Sequence, residues 1–200
     1  MTEDERFLKM KAIRDEVVAG KDLPLYEERI STGQKCVIGE GSHYAKIIFV
    51  GEGPGAREAE TGRPFVGRAG QLLDELLISI GLPRKDVYIA NILKDRPPGN
   101  RDPYPEEIIA YAPFLDRQIE IIQPKVLVPL GRFATKYLLD KYNCPEGNMT
   151  ITNLHGKTVK AETLFGGIVI APMYHPAAAI YTQSLKAVLF EDFKILKQYI

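Results

Sequence analysis

The sequence predicts an α/β protein, a three-layer α/β/α sandwich with a central four-stranded parallel sheet. Four short apolar runs, each long enough for one buried strand, recur along the chain. Segments with the spacing of amphipathic helices separate them. Helices that alternate with strands favour parallel pairing, because each helix returns the chain across a face of the sheet. The predicted strands are residues 47–50, 86–90, 125–131 and 168–171.

The first 44 residues are predicted as a helix followed by a loop. Residues 3–19 carry apolar side chains among charges at roughly helical spacing, and Gly20 ends the helix. Its imperfect apolar face consists of Phe7, Leu8, Ile13, Val17 and Val18. Residues 21–44 contain a proline and three glycines. They predict a loop that wraps the domain, with a short strand at residues 35–38.

The next segment is predicted as a strand, a loop and a helix. Three glycines and Pro54 within residues 51–55 stop the first strand, because such a run turns the backbone sharply. A polar loop follows, and a helix begins near Gly67. Its apolar face is formed by Leu72, Leu73, Leu76 and Leu77. Gly81 and Pro83 then form the expected helix stop.

The second half of the chain carries three more predicted helices, at residues 105–123, 132–142 and 184–199. The first of them opens with a proline and two glutamates, which suit the positive end of a helix dipole. Between the last two lies a stretch without a long period. It predicts short strands at residues 149–152 and 158–160.

Composition limits the classes of protein that this chain can represent. Its 200 residues predict a single domain over residues 1–200, with 45% hydrophobic and 26% charged residues. The net charge is zero, so any basic surface for nucleic acid must be local. Two cysteines are too few for a disulfide framework and predict free thiols. No apolar run approaches the ~20 residues of a membrane span, and the charged start does not resemble a secretory signal.

Three of the predicted strands end in polar residues that could share one cleft. Glu52, Asn91 and His175 follow the ends of strands, and Phe65 lies in the loop after the first one. Parallel strands present their carboxyl ends at one edge of the sheet, where ligands bind. Taken singly, each residue has a structural explanation, such as capping a turn or packing in the core. Taken together, they predict a site in which a carboxylate, an amide and an imidazole serve acid–base chemistry and recognition.

Two other kinds of site are disfavoured. The glycines at residues 51–55 match the dinucleotide fingerprint only loosely, and no GK[ST] follows, which argues against a Walker-type nucleotide site. The three histidines are scattered and the two cysteines are not paired in a motif, which argues against zinc. We therefore predict no metal site.

Five motifs resemble the family 4 uracil-DNA glycosylases of bacteria and archaea. They are GEGPG (51–55), TGRPFVGRAGQLLD (61–74), YIANILKDRPPGNRDPYPEE (88–107), PLGRFA (129–134) and YHPAAAIY (174–181). Their combination and order are specific. The resemblance implies the four-stranded α/β fold and cleavage of the N-glycosidic bond of deoxyuridine in DNA, the first step of base-excision repair.

The resemblance also implies a role for each residue of the cleft. Glu52 and Gly53 match the first catalytic motif, where other uracil glycosylases carry the water-activating group. Phe65 matches the aromatic residue that stacks on the flipped uracil, and Asn91 matches the amide that reads the edge of the base. His175 matches the histidine beside uracil O2. Glu52 and His175 are thus the catalytic candidates.

Contacts with DNA must come from local groups, because the net charge is zero. The basic candidates near the motifs are Arg63, Arg68, Lys94, Arg96, Arg101 and Lys157. By the resemblance, residues 177–181, which begin with Ala177 and Ala178, form the loop that wedges into the duplex. Small apolar side chains suit insertion, although they also suit packing.

One departure from the family concerns its iron–sulfur cluster, which four cysteines hold. Asp95 and Tyr111 stand at two of those positions, and Gly20 and Leu23 lie near the other two. Thiolates hold such clusters, so we predict that this chain carries none. Asp95 and Tyr111 are expected to pack or hydrogen-bond in its place. The chain also lacks the histidine-bearing insertion of relatives that become trapped on DNA, so we expect a monofunctional glycosylase that turns over.

Two alternatives stay open at this point. One is a non-catalytic protein of the same fold that binds damaged DNA, and the other is an α/β protein that binds a small nucleotide.

The preferred hypothesis implies a monomer in the cytoplasm, at the nucleoid, without membrane contact. Its partner is uracil-containing DNA, single- or double-stranded, and a contact with a sliding clamp is left open.

Overall fold

The four predicted strands form the centre of a six-stranded sheet in the computed structural model, which describes residues 2–200. The strands are β1 (Glu40–Gly41), β2 (Ile47–Gly51), β3 (Tyr88–Asn91), β4 (Val126–Pro129), β5 (Val159–Thr163) and β6 (Gly166–Ile170). Their spatial order is β1-β3-β2-β4-β6-β5. The four central strands pair in parallel, and β1 and β5 add antiparallel edges. The predicted parallel sheet is therefore confirmed, with two edge strands added.

Helices cover both faces of this sheet. They are α1 (Glu3–Ala19), α2 (Tyr26–Ser31), α3 (Ala56–Thr61), α4 (Arg68–Ser79), α5 (Pro105–Ile122), α6 (Arg132–Lys141), α7 (Ile151–Leu154), α8 (Pro176–Ala179) and α9 (Gln183–Phe193). Side chains of α1, α5 and α6 pack on one face with Ile48 and Val50. Those of α4 and α9 pack on the other face with Ile47 and Phe49. Alternate residues of one strand thus supply two cores, as a three-layer sandwich requires.

Two predicted strands are wrong. Residues 35–38 lie outside the sheet, where the Val37 N–H donates to the carbonyl of Lys94 at 2.7 Å, and the edge strand is β1 instead. Residues 149–152 form no strand, because Met149 and Thr150 precede α7 and the next two residues begin it. The prediction at residues 158–160 is confirmed except for Thr158, since β5 begins at Val159. The sequence prediction also described α2 and α3 as loop. Both are short helices of six residues, too short to show a helical period.

The buried stripe of α1 differs from its predicted apolar face. Met10, Ile13 and Val17 are buried. The prediction also placed Phe7, Leu8 and Val18 on that face. These three side chains are instead exposed, by 52–61%. Successive residues of a helix point about 100° apart, so Leu8 and Val18 turn away from the stripe. Among residues 2–200, no helix has both the length and the apolar character needed to cross a membrane.

A bridge beyond the ends of β4 and β6 brings the C-terminal motif to the sheet. Leu130 and Met173 pair in parallel, and the Gly131 N–H donates to the carbonyl of Met173 at 2.8 Å. Gly131 adopts a φ of 88°, which favours glycine. A Cβ added there would lie 3.0 Å from Cβ of His175. This close approach places His175 at the same edge as the ends of β2 and β3.

Candidate active site

The carboxyl ends of the central strands surround a cavity of about 320 Å³. Its lining includes Glu52, Gly53, Phe65, Asn91 and His175. The structure therefore brings together all five residues that the sequence predicted for the centre of the site. They come from segments far apart in the chain, and the parallel sheet is what joins them.

Phe65 forms one wall of the cavity and carries an unusual backbone. Its side chain is only 6% exposed, and its ring centre lies 5.6 Å from that of His175. Its φ is 50°, a left-handed value that bulky residues rarely adopt. The ring rests on Gly51 at the end of β2, where an added Cβ would come within 2.8 Å of it. Glycine at that position lets the ring reach the strand end.

Asn91 ends β3 with an unsatisfied polar atom. The residue is 1% exposed, and its Oδ1 atom is buried without a hydrogen-bond partner in the part of the chain that is described. A buried amide oxygen without a partner costs about 1–3 kcal/mol. The atom lies over Gly51, where a Cβ would approach it to 2.2 Å. A ligand that supplies an N–H would recover that cost.

The hydrogen bond at His175 defines its tautomer. The backbone N–H of Ala177 donates to Nδ1 of His175 at 3.1 Å, so Nδ1 must be the unprotonated nitrogen. The remaining nitrogen, Nε2, then carries the proton of a neutral imidazole. Burial lowers the pKa of His175 to about 4, against the opposing effect of the Glu58 carboxylate. The ring is therefore a neutral donor at physiological pH.

Glu52 is a carboxylic acid with a raised pKa. Burial and, to a smaller extent, the Asp102 carboxylate raise the pKa of Glu52 to about 7, while Arg132 opposes the rise. Asp102 and Arg132 form an ion pair with each other. A carboxyl group that titrates near neutral pH in a cavity is typical of an acid–base site.

Sequence reasoning missed several residues around the cavity. Glu58 lines it, and one of its carboxylate oxygens accepts the N–H groups of Val66 and Gly67 at 2.8 Å each. Asn100 also lines it and accepts from Arg96 at 2.7 Å. The motifs at residues 61–74 and 88–107 span or adjoin these residues, but only the folded chain shows what they contact.

The basic candidates have different environments. Arg63 is exposed and forms a paired contact with Glu40 at 2.7 and 2.8 Å. Arg68 is exposed and donates to the hydroxyl of Tyr181 at 2.6 Å. Arg96 is half-buried, and Lys157 is exposed. Arg101 lines the cavity and is bound to Glu107 at 2.6 and 2.9 Å.

Lys94 is a correction to the predicted DNA-binding set. Its side chain is fully buried, and its ammonium group donates to the carbonyls of Ile38 and Asn91 and to Oε1 of Gln118. Burial lowers the pKa of Lys94 to about 7. An ammonium group enclosed by three protein acceptors cannot reach a phosphate. Lys94 instead links the end of β3 to α5.

Ala177 and Ala178 lie in α8, next in the chain to His175. Both are exposed, and Ala177 also lines the cavity. Tyr181, shortly after them, is 81% exposed. The predicted wedge therefore stands beside the cavity with Ala177 and Ala178 accessible, whereas Ala179, which the prediction included, is buried in the core.

The positions that match the family's cluster cysteines carry a different group of residues. Asp95 accepts hydrogen bonds from the Tyr111 hydroxyl at 2.6 Å and from the Arg29 guanidinium at 2.9 and 3.0 Å. Arg29 also donates to the carbonyls of Val17 and Val18 at the end of α1. The expected hydrogen bond between Asp95 and Tyr111 is thus confirmed. These residues offer no thiolate, so they do not fit an iron–sulfur cluster.

A family model and several curated relatives indicate one family. The model of the uracil DNA glycosylase superfamily matches residues 38–194. A type-4 uracil-DNA glycosylase of Sulfurisphaera tokodaii is 45% identical over 94% of this chain and 84% of its own length. Proteins of the same description from Archaeoglobus fulgidus and Thermotoga maritima are 46% and 41% identical. These cover 79% and 96% of this chain, and 78% and 94% of their own lengths.

Proposed function

This chain belongs to the uracil DNA glycosylase superfamily, and on that premise we propose that it hydrolyses the N-glycosidic bond of uracil in DNA. The reaction leaves an abasic site and begins base-excision repair. The observation that carries the proposal is the cavity in which Asn91, Phe65 and His175 present an unpaired acceptor, an aromatic face and a neutral donor. These three functions match the edge, the face and the O2 atom of uracil.

Recognition of the base rests on Phe65 and Asn91. The target base must leave the stack, at a cost of a few kcal/mol. Stacking on Phe65 returns roughly 1–3 kcal/mol of that cost. The unpaired Oδ1 of Asn91 accepts the uracil N3–H, and the amide N–H₂ donates to O4. Cytosine has an acceptor at N3 and an amino donor at its 4-position, so neither atom pairs with the Asn91 amide as uracil does. The buried amide is then left unpaired, which strongly disfavours binding of cytosine.

Departure of uracil is assisted by His175 and by the backbone at Gly53. Negative charge develops on the base as the bond breaks. Nε2–H of the neutral His175 donates to O2 and stabilises that charge, as donors do in an oxyanion hole. Because the ring is already the correct tautomer, it needs no proton from solvent. Gly53 lines the same cavity, which supports a role for its backbone N–H as a second donor.

Glu52 acts on the sugar side of the bond. As uracil leaves, the sugar becomes cation-like, and a water molecule must attack it. The Glu52 carboxylate either stabilises the cation or orients the water, and both roles require its ionised form. Its raised pKa, about 7, makes that form dependent on pH in the neutral range.

DNA is held by local contacts rather than by net charge. Arg63, Arg68, Arg96 and Arg101 contact backbone phosphates around the cavity, and Ala177 and Ala178 enter the gap left by the flipped base.

No cofactor takes part, because the hydrolysis uses side chains and water alone. The protein acts as a monomer in the cytoplasm, at the nucleoid, on single- or double-stranded DNA. The comparisons favour neither of the two alternative functions.

The test is cleavage of a labelled oligonucleotide that contains one uracil, followed by hot alkali. A matched oligonucleotide with thymine, and the variants Asn91→Ala and His175→Ala, are assayed beside it. Asn153→Ala, an exposed asparagine of α7, is the matched control. We expect cleavage only at uracil, lost in both site variants and kept in the control. A folded protein that leaves both oligonucleotides intact would refute the proposal.

A further inference from the structure

Arg84 lies behind the loop that carries Phe65 and contacts its backbone. One terminal nitrogen, Nη2, donates to the carbonyl of Pro64 at 2.6 Å. The other, Nη1, donates to the carbonyl of Phe65 at 3.3 Å and to Asp74 at 2.8 Å. Its side chain is 22% exposed, so these contacts are partly shielded from water. Nothing in the sequence marked Arg84 as part of the site.

The backbone that Arg84 holds is strained. A φ of 50° at Phe65 is a conformation that bulky residues rarely adopt, and it persists only where surrounding contacts fix it. Glu58 binds the N–H groups that follow Phe65, while Arg84 binds the carbonyl of Phe65 and the one before it. The two N–H groups that follow Phe65, its own carbonyl and the carbonyl before it are therefore all hydrogen-bonded. These bonds fix the backbone of Phe65 and thereby the position of its ring.

The guanidinium of Arg84 is itself held in place. Asp74 of α4 accepts from it, and a carboxylate oxygen of Glu40 in β1 lies 3.8 Å from its Nε atom. The Phe65 carbonyl lies directly against α4, since a Cβ on Gly70 would come within 1.9 Å of its oxygen. Arg84 thus ties the loop to the helix α4 and, through the longer contact with Glu40, to the edge strand β1.

We propose that Arg84 is a positioning residue for uracil recognition, which holds Phe65 in the conformation that stacks on the base. The inference rests on the proposed function, because it assigns Arg84 a role through the stacking of Phe65. Without the two donated hydrogen bonds, the loop relaxes towards negative φ and the ring moves from the cavity wall. The stacking energy is then lost although every group that touches uracil is still present.

The experiment compares Arg84→Met, Arg84→Lys and Lys85→Met. Met keeps the apolar stem without donors, and Lys keeps the charge and a donor that can reach one carbonyl. Lys85 is an exposed residue of the same short turn and controls for loss of positive charge. Three quantities are measured: the single-turnover excision rate, inhibition by free uracil, and affinity for a thymine-containing oligonucleotide.

Free uracil reports the stacking site without DNA. For Arg84→Met we expect inhibition by uracil to weaken about 10-fold, the equivalent of losing one stacked base. The excision rate should fall between about 10-fold and 100-fold, as misplacement of a binding group does. Affinity for the thymine oligonucleotide should stay within about 2-fold, because the phosphate contacts remain. Arg84→Lys should recover part of both losses, and Lys85→Met should match the parent.

A double variant separates positioning from loss of the fold. If Arg84 acts through the ring, adding Arg84→Met to Phe65→Ala should cost little beyond Phe65→Ala alone. Equal losses in both backgrounds would overturn the proposal, and so would normal uracil inhibition in Arg84→Met. If Arg84→Met does not fold, the same cycle with Arg84→Lys decides. A parent protein that excises no uracil would refute the proposed function instead, so the two failures are distinguishable.

Discussion

At the scale of single residues, the cavity combines two titratable groups whose pKa values move in opposite directions. Burial disfavours the charged form of each, so it raises the pKa of Glu52 and lowers that of His175. Above pH 7, His175 is therefore neutral while Glu52 is largely ionised. A neutral donor on one side of the bond and a carboxylate on the other suit the proposed charges of a leaving uracil and a cation-like sugar.

The excision rate should depend on the ionisation of Glu52. We expect the single-turnover rate to rise with pH through about 7 and to level off above it, because only the carboxylate is active. His175 should add no step between about pH 5 and 9, since its pKa lies near 4. The measurement is a pH–rate profile with one-uracil DNA. In Glu52→Gln the residual rate should not change with pH through about 7. If the rate still rises with pH there, a group other than Glu52 causes the rise.

Glu52 should also make the stability of the fold depend on pH. Its pKa is about 7 when folded and 4.5 ordinarily, so between these values the folded state holds a proton that the unfolded state has lost. Stability therefore falls as the pH rises through this window. Glu52→Gln should raise the free energy of unfolding at pH 8 by about 1 kcal/mol after allowance for solvent screening, or roughly 2–4 °C in Tm.

Thermal unfolding at pH 8 and pH 4 tests that sign. The gain in Glu52→Gln should nearly disappear at pH 4, where the carboxyl group is mostly protonated in both states. A variant that is equally stabilised at the two pH values would show that packing rather than charge is responsible.

At the scale of elements, a buried ion pair fastens the N-terminal segment to the body of the protein. The side chains of Arg29 and Asp95 are 5% and 0% exposed. Through them the end of α1, the loop after β3 and α5 meet at one point, with Tyr111 as the third member. Burial raises the pKa of Asp95, and the hydrogen bonds from Tyr111 and Arg29 oppose that rise.

Removal of one partner should therefore be costly. We expect Asp95→Ala to lower the free energy of unfolding by about 3–5 kcal/mol, because it leaves Arg29 charged and buried without its partner. Denaturant unfolding measures this value. Asp140→Ala, which breaks the exposed ion pair with Lys136, should cost less than about 1 kcal/mol and serves as the control. Similar costs for the two variants would contradict the role assigned to Asp95.

The same group of residues predicts the spectrum of the protein. Asp95 and Tyr111 stand at two of the positions where the resemblance places cysteines, so purified protein should be colourless, without broad absorption near ~400 nm. Iron analysis after preparation under anaerobic conditions gives the same answer independently. A brown protein that contains iron would show that other residues hold a cluster.

At the scale of the whole molecule, the net charge of zero means that the proposed DNA binding must rest on local basic groups, of which Arg63 and Arg68 are exposed. For Arg68→Ala we expect weaker binding to uracil and thymine oligonucleotides alike, because phosphate contacts carry no sequence information. The slope of log affinity against log salt should decrease by about 0.9 for double-stranded DNA. Lys94→Met, provided that it folds, should leave the slope unchanged, since Lys94 is buried. A smaller slope for Lys94→Met would restore it as a phosphate contact.

Local signals in the sequence account for most of the fold. The four central strands and the helices α1, α4, α5, α6 and α9 were predictable, because burial on both faces of a strand leaves a continuous apolar run and burial along one stripe of a helix leaves a periodic pattern. The strand β1 and the helices α2 and α3 were not. They are two and six residues long, and contacts with distant segments rather than their own periodicity hold them.

The alternation of strands and helices, the strand ends that carry Glu52, Asn91 and His175, and the motifs of the family can all be read from the sequence. Which polar groups contact each other depends on the tertiary structure. The sequence predicted Lys94 as a surface charge. In the fold its ammonium group donates to three acceptors, which lie up to 56 residues away along the chain. The same holds for Arg84 and Phe65, 19 residues apart. Hydrogen bonds between remote segments leave no periodic trace in a sequence, because they depend on where the folded backbone places each donor and acceptor.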